Sequence, residues 1–346
     1  MRILLVTLVY NEWSAGYRIT RALKELGHEV KTLDYRFPFP IKNLNVHGYF
    51  LDQLFYGYLQ SRNNLMELWS KYVNRLLLRK VSQWIPDVVL VSKGEIIYPD
   101  TIRRIRKEIG SKTINWTFDD PALFNSLHAK IMPAYDYVFT NSQECVPLYN
   151  KLGIDKVKFL PYGCDPSIHK FVSLSESELE YYGSDIYLPA SMDSKRVEVL
   201  TALSTLNLRI KTSGPGWDRL PAGHPLRKYW IRRLTHVTDY IKALNAAKIG
   251  LNLQKTALAL TATTDRLWEI TGCGTILFTE YVSGLESFFE IGSEVVCFHD
   301  TQELRELIDY YLDNPEERQK IARKGQERCH RDHSIKNRVS EILSYI

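Results

Sequence analysis

Several features that mark common protein classes are scarce or missing in this chain of 346 residues. Its five cysteines are scattered, with no Cys-x-x-Cys pair and no cluster of Cys and His. This pattern argues against a disulfide framework and a structural zinc site, and it predicts reduced thiols in a cytoplasmic protein. No apolar segment is long enough to span a bilayer, so we expect at most a peripheral membrane contact. The N-terminus is interpreted as a strand and not a signal peptide, because its apolar run is short.

The motifs of several enzyme classes are also missing. The chain has no G-x-S-x-G elbow, no HExxH pair and no Walker lysine loop, which gives no support to the hydrolase and nucleotidase classes that use them. The net charge of +5 is spread along the chain, so no nucleic-acid partner is expected. A mildly basic surface suits anionic ligands such as nucleotide sugars or acidic lipid head groups. A solvated surface without such a role is an equally good interpretation.

Along the chain, segments with the hydrophobic pattern of strands alternate with segments that have the pattern of helices. Short apolar runs, typical of strands buried on both faces, are followed by segments of helical spacing that often end in glycine, as at Gly27 and Gly153. This order predicts the α/β class, with two doubly wound parallel-sheet domains. The predicted strands are 3–9, 28–33, 87–92, 113–118, 137–141 and 157–160, then 185–189, 208–212, 249–253, 275–278 and 295–298.

Domain boundaries follow from the breaks in this rhythm. A first domain over 1–170 and a second over 171–328 are predicted, with a linker in the Ser- and Glu-rich stretch 165–184. A final helix in 329–346 is expected to pack back on the first domain. Residues 37–85 are predicted to be a largely helical insertion rich in aromatic side chains. Its expected common face consists of Leu65, Leu68, Tyr72, Leu76 and Val81.

One short helix in the second half carries the clearest functional pattern. Arg266 and Glu269 lie one turn apart, after Thr264 and before a Gly-Cys-Gly turn. A guanidinium suits a phosphate and a carboxylate suits a ribose diol, so the pair is typical of a nucleotide diphosphate site. A surface ion pair on an ordinary helix remains the alternative.

Other polar loops of the second domain supply further donor-side candidates. Arg196 stands at the start of a predicted helix, where a cation opposes the helix dipole unless an anion lies between them. A solvated first turn is the alternative. The turn with Gly214, Gly216 and Trp217 lacks the full dinucleotide fingerprint. His236 follows this turn, where a nucleobase could lie.

In the first domain the candidates are acceptor-side and catalytic groups. Asn11 and Gly16 bound a polar loop at the end of the first strand, and Asp119 and Asp120 end the fourth. Each aspartate could be a general base, an acceptor ligand or an N-cap, and we expect one to cap and the other to face the cleft. Metal binding is disfavoured because no third carboxylate lies nearby in sequence.

Taken together, several blocks resemble the CgeB-like family of GT-B glycosyltransferases, first named for a spore maturation protein. The resemblance covers the chain from about Asp87 onward, and it rests on the order and number of the blocks. They are Phe118-Asp119-Asp120-Pro121, 135–141, 160–165, Gly214-Pro215-Gly216-Trp217, 249–253, Arg266-Leu267-Trp268-Glu269 with Gly272-Cys273-Gly274, 284–286 and Asn314-Pro315-Glu316-Glu317-Arg318.

The resemblance implies two Rossmann-like domains that face each other across a cleft. It implies sugar transfer from a nucleotide-sugar donor, bound mainly by the second domain, without a metal or a prosthetic group. Glu269 resembles the ribose-binding carboxylate of the wider group, and Arg266 and Arg196 resemble diphosphate contacts. The donor nucleotide stays open between UDP, GDP and dTDP. The acceptor stays open between a saccharide, a glycan, a lipid-linked molecule and a protein.

One departure from the family pattern keeps other functions open. Many retaining relatives carry a second Glu eight residues before the first, whereas this chain has Thr261 there. We therefore assign neither a retaining nor an inverting outcome. A non-catalytic nucleotide-sugar or carbohydrate-binding module, and a nucleotide-sugar epimerase, are the alternatives.

Overall fold

The computed structural model describes residues 1–8, 14–36, 57, 61–232, 234, 237–254 and 264–346. These residues form two compact units, one of Met1–Pro161 with Ile335–Ile346 and one of Tyr162–Ser334. Each unit contains one β-sheet in which every strand pair is parallel. The predicted α/β class with two Rossmann-like units is confirmed.

The first unit has a six-stranded sheet in the order β2-β1-β3-β4-β5-β6. Its strands are β1 Arg2–Thr7, β2 Glu29–Asp34, β3 Val88–Ser92, β4 Lys112–Thr117, β5 Tyr137–Thr140 and β6 Val157–Phe159. Its main helices are α1 Ala15–Glu25, α2 Asn63–Trp84, α3 Pro99–Arg104 with a π-helical continuation at Ile105–Ile109, α4 Cys145–Lys151 and, from the C-terminus, α11 Ile335–Ser344. Short turns at Phe124–His128, Ala129–Ile131 and Met132–Ala134 connect β4 to β5. Helix α11 packs against α1.

Strands β1 and β3 are buried in the first unit. Every residue of β3 and every residue of β1 after Arg2 is buried. Ile3 pairs with Val30 on one side and with Val88 on the other, so β1 lies inside the sheet. A strand covered on both faces requires a continuous apolar run, which is what the sequence has there.

The buried face of α2 differs from the predicted one. Leu68 and Tyr72 are exposed, so the expected apolar face was wrong at these two positions, whereas Leu76 packs partly buried against the core and Val81 is buried. The side chains that are buried on α2 are Ser70, Val73, Asn74, Leu77 and Val81.

Asn74 accounts for the difference between the predicted and the observed buried face of α2. Its amide donates to the carbonyls of Ser70 and Ile96, and its carbonyl accepts from the Tyr98 amide. A buried amide with three partners anchors the loop before α3, and hydrophobicity alone would place Asn on the exposed side.

The second unit has a five-stranded sheet in the order β11-β10-β9-β7-β8. Its strands are β7 Ser184–Pro189, β8 Ile210–Ser213, β9 Ala247–Asn252, β10 Ile276–Glu280 and β11 Val296–Phe298. Its helices are α5 Glu176–Tyr182, α6 Ser194–Leu203, α7 Val237–Ala246, α8 Asp265–Gly272, α9 Thr301–Asp313 and α10 Pro315–Asp332, with 3-10 turns at Trp217–Arg219, Pro225–Tyr229 and Leu285–Ser287.

Part of the stretch predicted as a linker is helical. Ser175 and Glu178 form a capping box at the start of α5, in which each side chain bonds the backbone of the other. None of the five cysteines forms a disulfide, and burial raises the pKa of the Cys145 and Cys297 thiols to about 12. Among the described helices, none combines the length and apolarity needed to cross a bilayer.

Candidate functional site

A cavity of about 150 Å³ opens in the second unit beside the carboxyl ends of β7 and β9. Its lining consists of Ala190, Ser191, Arg196, Leu251, Asn252, Thr264 and Arg266. The fold therefore brings three of the predicted donor-side residues, Arg196, Thr264 and Arg266, to one place. The carboxyl edge of a parallel sheet is where ligands of such folds bind.

Arg196 lies in the first turn of α6, and only 6% of its surface is exposed. Its Nη1 donates to the Ser191 carbonyl and its Nη2 to the Leu253 carbonyl, each at 2.8 Å. Asp193, the N-cap of the helix, lies 3.1 Å from the guanidinium. Burial lowers the pKa of Arg196, although Asp193 acts in the opposite direction. The Nε–H has no partner among the described residues, so a buried cation keeps one donor for a ligand.

Arg266 and Thr264 come from the start of α8. The Arg266 Nε–H donates to the Pro189 carbonyl at 3.0 Å. Burial disfavours its charged form, but the Glu269 carboxylate favours it, and the pKa of Arg266 is raised. Thr264 donates to Asn252 Oδ1 at 3.0 Å and does not cap the helix with its side chain. The amide end of α8 is therefore at the cavity wall, a position that favours anions.

Glu269 lies one turn further along α8 and does not line the cavity. Its Oε2 accepts a hydrogen bond of 2.7 Å from the Tyr240 hydroxyl. Burial, followed by the charge of Glu269, raises the pKa of Tyr240 well above its usual range, so Tyr240 remains a donor. The carboxylate is held in one orientation beside Arg266.

The turn with Gly214, Gly216 and Trp217 packs against Ala190, which lines the cavity. Trp217 is fully buried, and its Nε1–H donates to the Ala190 carbonyl at 2.8 Å. This burial leaves no ring face of Trp217 exposed to a nucleobase. Gly214 has φ +122, and a Cβ there would lie 2.6 Å from the Ala190 oxygen. A Cβ on Gly216, with φ +95, would lie 3.2 Å from the Cβ of Met192.

Sequence reasoning missed the residues that fix the mouth of this cavity. Glu280, at the end of β10, binds Lys195 Nζ with one oxygen and the Gln254 amide with the other, each at 2.6 Å. Asn252 donates to Thr279 Oγ1 at 3.0 Å while it accepts from Thr264. All of these polar groups stand at or just after the carboxyl end of a strand. That position is the signal that would have identified them.

In the first unit, Lys93 and Asp119 meet at the carboxyl edge of β3 and β4. Lys93 Nζ lies 2.8 Å from Asp119 Oδ2, and about a third of each side chain is exposed, 32% in both cases. Lys93 has a left-handed backbone, with φ 63, and its carbonyl accepts from the Asn115 amide. Next to them, Glu95 accepts from the Tyr35 hydroxyl and pairs with Arg36 at 3.3 Å. At this edge, Asp119 and Glu95 each have a cation as partner.

Asp120 is fully buried, in contrast to its neighbour. It accepts from His128 Nδ1 and the Thr140 hydroxyl at 2.6 Å and from the Tyr149 hydroxyl at 2.8 Å. The next helical turn has no side-chain cap, so neither aspartate has the expected capping role there. A general-base role does not fit Asp120, because its carboxylate has no path to a ligand, and Asp119 is the carboxylate left for that role.

Three further predicted positions complete the comparison. Gly16 is buried in the first turn of α1, where its carbonyl accepts from the Thr20 hydroxyl at 2.6 Å. Gly16 therefore has no side chain with which to contact an acceptor substrate. Asn11 and His236 lie outside the described residues.

Comparison with known proteins adds a family match. Residues 195–344 match a family model described as glycosyl transferase-like. The chain is 20% identical over 259 residues to the spore protein CgeB of Bacillus subtilis (strain 168). The aligned region covers 71% of this chain and 78% of CgeB. The predicted resemblance to CgeB is confirmed.

Solved structures give the fold class. Anabaena HepE in complex with UDP-glucose superposes with a TM-score of 0.65 at 12% identity, over 100% of both chains. Sucrose-phosphate synthase from Thermosynechococcus elongatus superposes with a TM-score of 0.64 at 13% identity, over 100% of this chain and 98% of that one. At such identities the likeness establishes the fold, and the GT-B class is confirmed.

The two adjacent aspartates should respond differently to truncation. Asp120→Ala leaves three buried donors without their acceptor and should lower the free energy of unfolding by about 3–5 kcal/mol. Asp119→Ala breaks only a partly exposed ion pair and should cost less than about 1 kcal/mol. Denaturant unfolding followed by circular dichroism measures both. Equal losses would contradict the structural role given to Asp120.

A matched pair of glycines tests the packing behind the cavity. Gly292 also has a positive φ, +80, but a Cβ there would meet nothing within 4 Å. Gly292→Ala should therefore cost about 1 kcal/mol, the backbone penalty alone. Gly214→Ala adds a clash with the Ala190 backbone and should cost about 1–3 kcal/mol more. Thermal unfolding of the two variants decides, and similar melting temperatures would refute the close contact.

Proposed function

We propose, from the premise that this chain is a CgeB-like glycosyltransferase of GT-B fold, that the cavity of its second unit binds the diphosphate of a nucleotide-sugar donor. The convergence of two arginines and a helix N-terminus on one cavity supports this assignment most directly. Each of these groups favours negative charge, and a diphosphate supplies it.

The electrostatics of the two arginines suit a leaving diphosphate. Arg196 is desolvated and fixed by carbonyl oxygens, so it needs little rearrangement when an anion arrives. Arg266 keeps its charge beside Glu269. Fixed cations and a helix dipole stabilise the charge that develops on a departing phosphate. On this view transfer proceeds without a bound metal.

The ribose is assigned to Glu269. A carboxylate accepts hydrogen bonds from a vicinal diol, and the Tyr240 hydroxyl holds this one in a fixed orientation. UDP is the first nucleotide to test, because HepE is described in complex with UDP-glucose. GDP and dTDP are the alternatives within the same chemistry.

The first unit is proposed as the acceptor side, with Asp119 as the base if transfer inverts the anomeric centre. Asp119 is partly exposed, and Lys93 fixes its position. A carboxylate held in this way can accept the proton of an attacking hydroxyl. The acceptor is a saccharide, a glycan, a lipid-linked molecule or a protein, and a cytoplasmic location is proposed for the chain.

Removal of either donor-side group should weaken nucleotide binding. Arg266→Ala and Glu269→Ala should each lower the affinity for UDP by about 1–3 kcal/mol, the usual loss for a charge-assisted hydrogen bond. Isothermal calorimetry measures the affinity. Arg323→Ala is the matched control, since Arg323 is exposed on α10 and away from the cavity lining.

Turnover separates the possible activities at this site. Incubation with UDP-, GDP- and dTDP-sugars should give donor consumption that Arg266→Ala abolishes. Interconversion of the donor sugar without an acceptor would indicate an epimerase, and binding without turnover on any acceptor would indicate a binding module. Wild-type UDP affinity in both Arg266→Ala and Glu269→Ala would contradict the assignment of the cavity.

A further inference from the structure

An open groove of about 450 Å³ lies in the first unit, at the end of its sheet opposite Lys93 and Asp119. Its lining includes the start of β4 and the end of the helix that precedes it. The residues are Arg103, Arg106, Lys107, Gly110, Ser111, Lys112 and Asp136. Four cations thus share the groove with a single carboxylate.

That carboxylate is already occupied. Asp136 lies 2.8 Å from Arg106 Nη2, and its other oxygen accepts from the amide and the hydroxyl of Thr113. Lys107 and Lys112 are exposed and form no ion pair within the described part of the chain. Arg103 pairs with Asp100 at 2.6 Å, so the charge that no ion pair of the described residues neutralises comes from Lys107 and Lys112.

An exposed apolar side chain stands at the rim. Ser111 lines the groove, and its hydroxyl donates to the Pro86 carbonyl. Ile85, the residue before Pro86, therefore lies next to the groove. Ile85 ends α2 in a left-handed conformation, with φ 48, and 53% of its surface is exposed. A β-branched residue is unfavourable in this conformation, where Gly or Asn is usual. For the fold alone, a polar residue would serve better there.

Further cations contact Trp84, the residue before Ile85. Arg2 Nη1 donates to the Trp84 carbonyl at 3.0 Å, and Lys31 Nζ lies 4.6 Å from the centre of the Trp84 ring. Asp87 and Glu29 are exposed carboxylates near these cations, and Asp87 accepts from the Arg2 amide at 2.6 Å. Counted together with the groove, the cations outnumber the carboxylates; the cations are Arg2, Lys31, Arg103, Arg106, Lys107 and Lys112, and the carboxylates are Glu29, Asp87, Asp100 and Asp136.

We propose that this edge of the first unit docks on an anionic membrane surface, with the groove against the lipid phosphates and Ile85 in the acyl boundary. Basic side chains near an anionic leaflet each add to binding, and an apolar side chain beside them adds insertion. Nucleic acid or another soluble polyanion would use the cations but gives no role to the exposed Ile85. The docking surface is separate from the donor cavity and does not depend on the function proposed for it.

Co-sedimentation of the full chain with vesicles tests this surface. Vesicles of phosphatidylcholine with phosphatidylglycerol should bind the protein, vesicles of phosphatidylcholine alone should not, and added salt should release it. The double variant Lys107→Gln/Lys112→Gln should lower the partition coefficient about thirtyfold. Lys320→Gln/Lys324→Gln removes the same charge from exposed positions of the second unit and should bind as the wild type does. UDP affinity should be unchanged in all of these variants.

Ile85 distinguishes a membrane from a soluble polyanion. Ile85→Asn suits the left-handed backbone and should not lower the melting temperature, yet it should lower vesicle binding about fivefold, because half of an Ile side chain is no longer buried in lipid. Ile85→Leu should keep vesicle binding. Heparin binding in place of vesicle binding, or full vesicle binding by either Ile85→Asn or the groove double variant, would overturn the proposal.

Discussion

The site in the second unit depends on the burial of one guanidinium among backbone carbonyls. Arg196 joins the loop after β7 to the loop after β9 by donating to Ser191 and Leu253. An unpaired buried cation costs several kcal/mol, so the carbonyls must stay around it for the fold to be stable. This requirement holds Ser191 and Leu253 beside Arg196, so hydrogen bonds within the protein fix the position of Arg196 in the cavity wall. An anion then supplies the negative charge that carbonyl dipoles and Asp193 provide only in part.

The same edge of the two sheets has different electrostatics in the two units. In the second unit, Arg196 and Arg266 line a cavity whose described lining includes no carboxylate, although Asp193 lies 3.1 Å from Arg196. In the first unit, Lys93 pairs with Asp119, and a second cation pairs with Glu95. A phosphate suits the first arrangement and a neutral hydroxyl suits the second. The proposed division into donor and acceptor sides follows from this difference in charge, within one repeated architecture.

The two ends of the first sheet also serve different purposes. At the carboxyl edge the charges are paired and held by hydrogen bonds. At the amino edge Lys107 and Lys112 are exposed and have no ion pair among the described residues, and the apolar Ile85 lies next to them. A parallel sheet separates these edges by the length of its strands, so a surface contact at one end leaves the other open. Docking and sugar transfer can therefore coexist in one unit.

The sequence alone determined most of the elements and the edge at which the candidate site lies. Continuous apolar runs favour strands covered on both faces, and the polar loops that follow them include Arg196, Thr264 and Arg266. Only the tertiary structure decided which neighbours are exposed. Asp119 and Asp120 are adjacent, and their fates differ because donors distant in sequence surround the second one. Periodicity records local alternation, whereas burial depends on contacts between segments far apart in the chain.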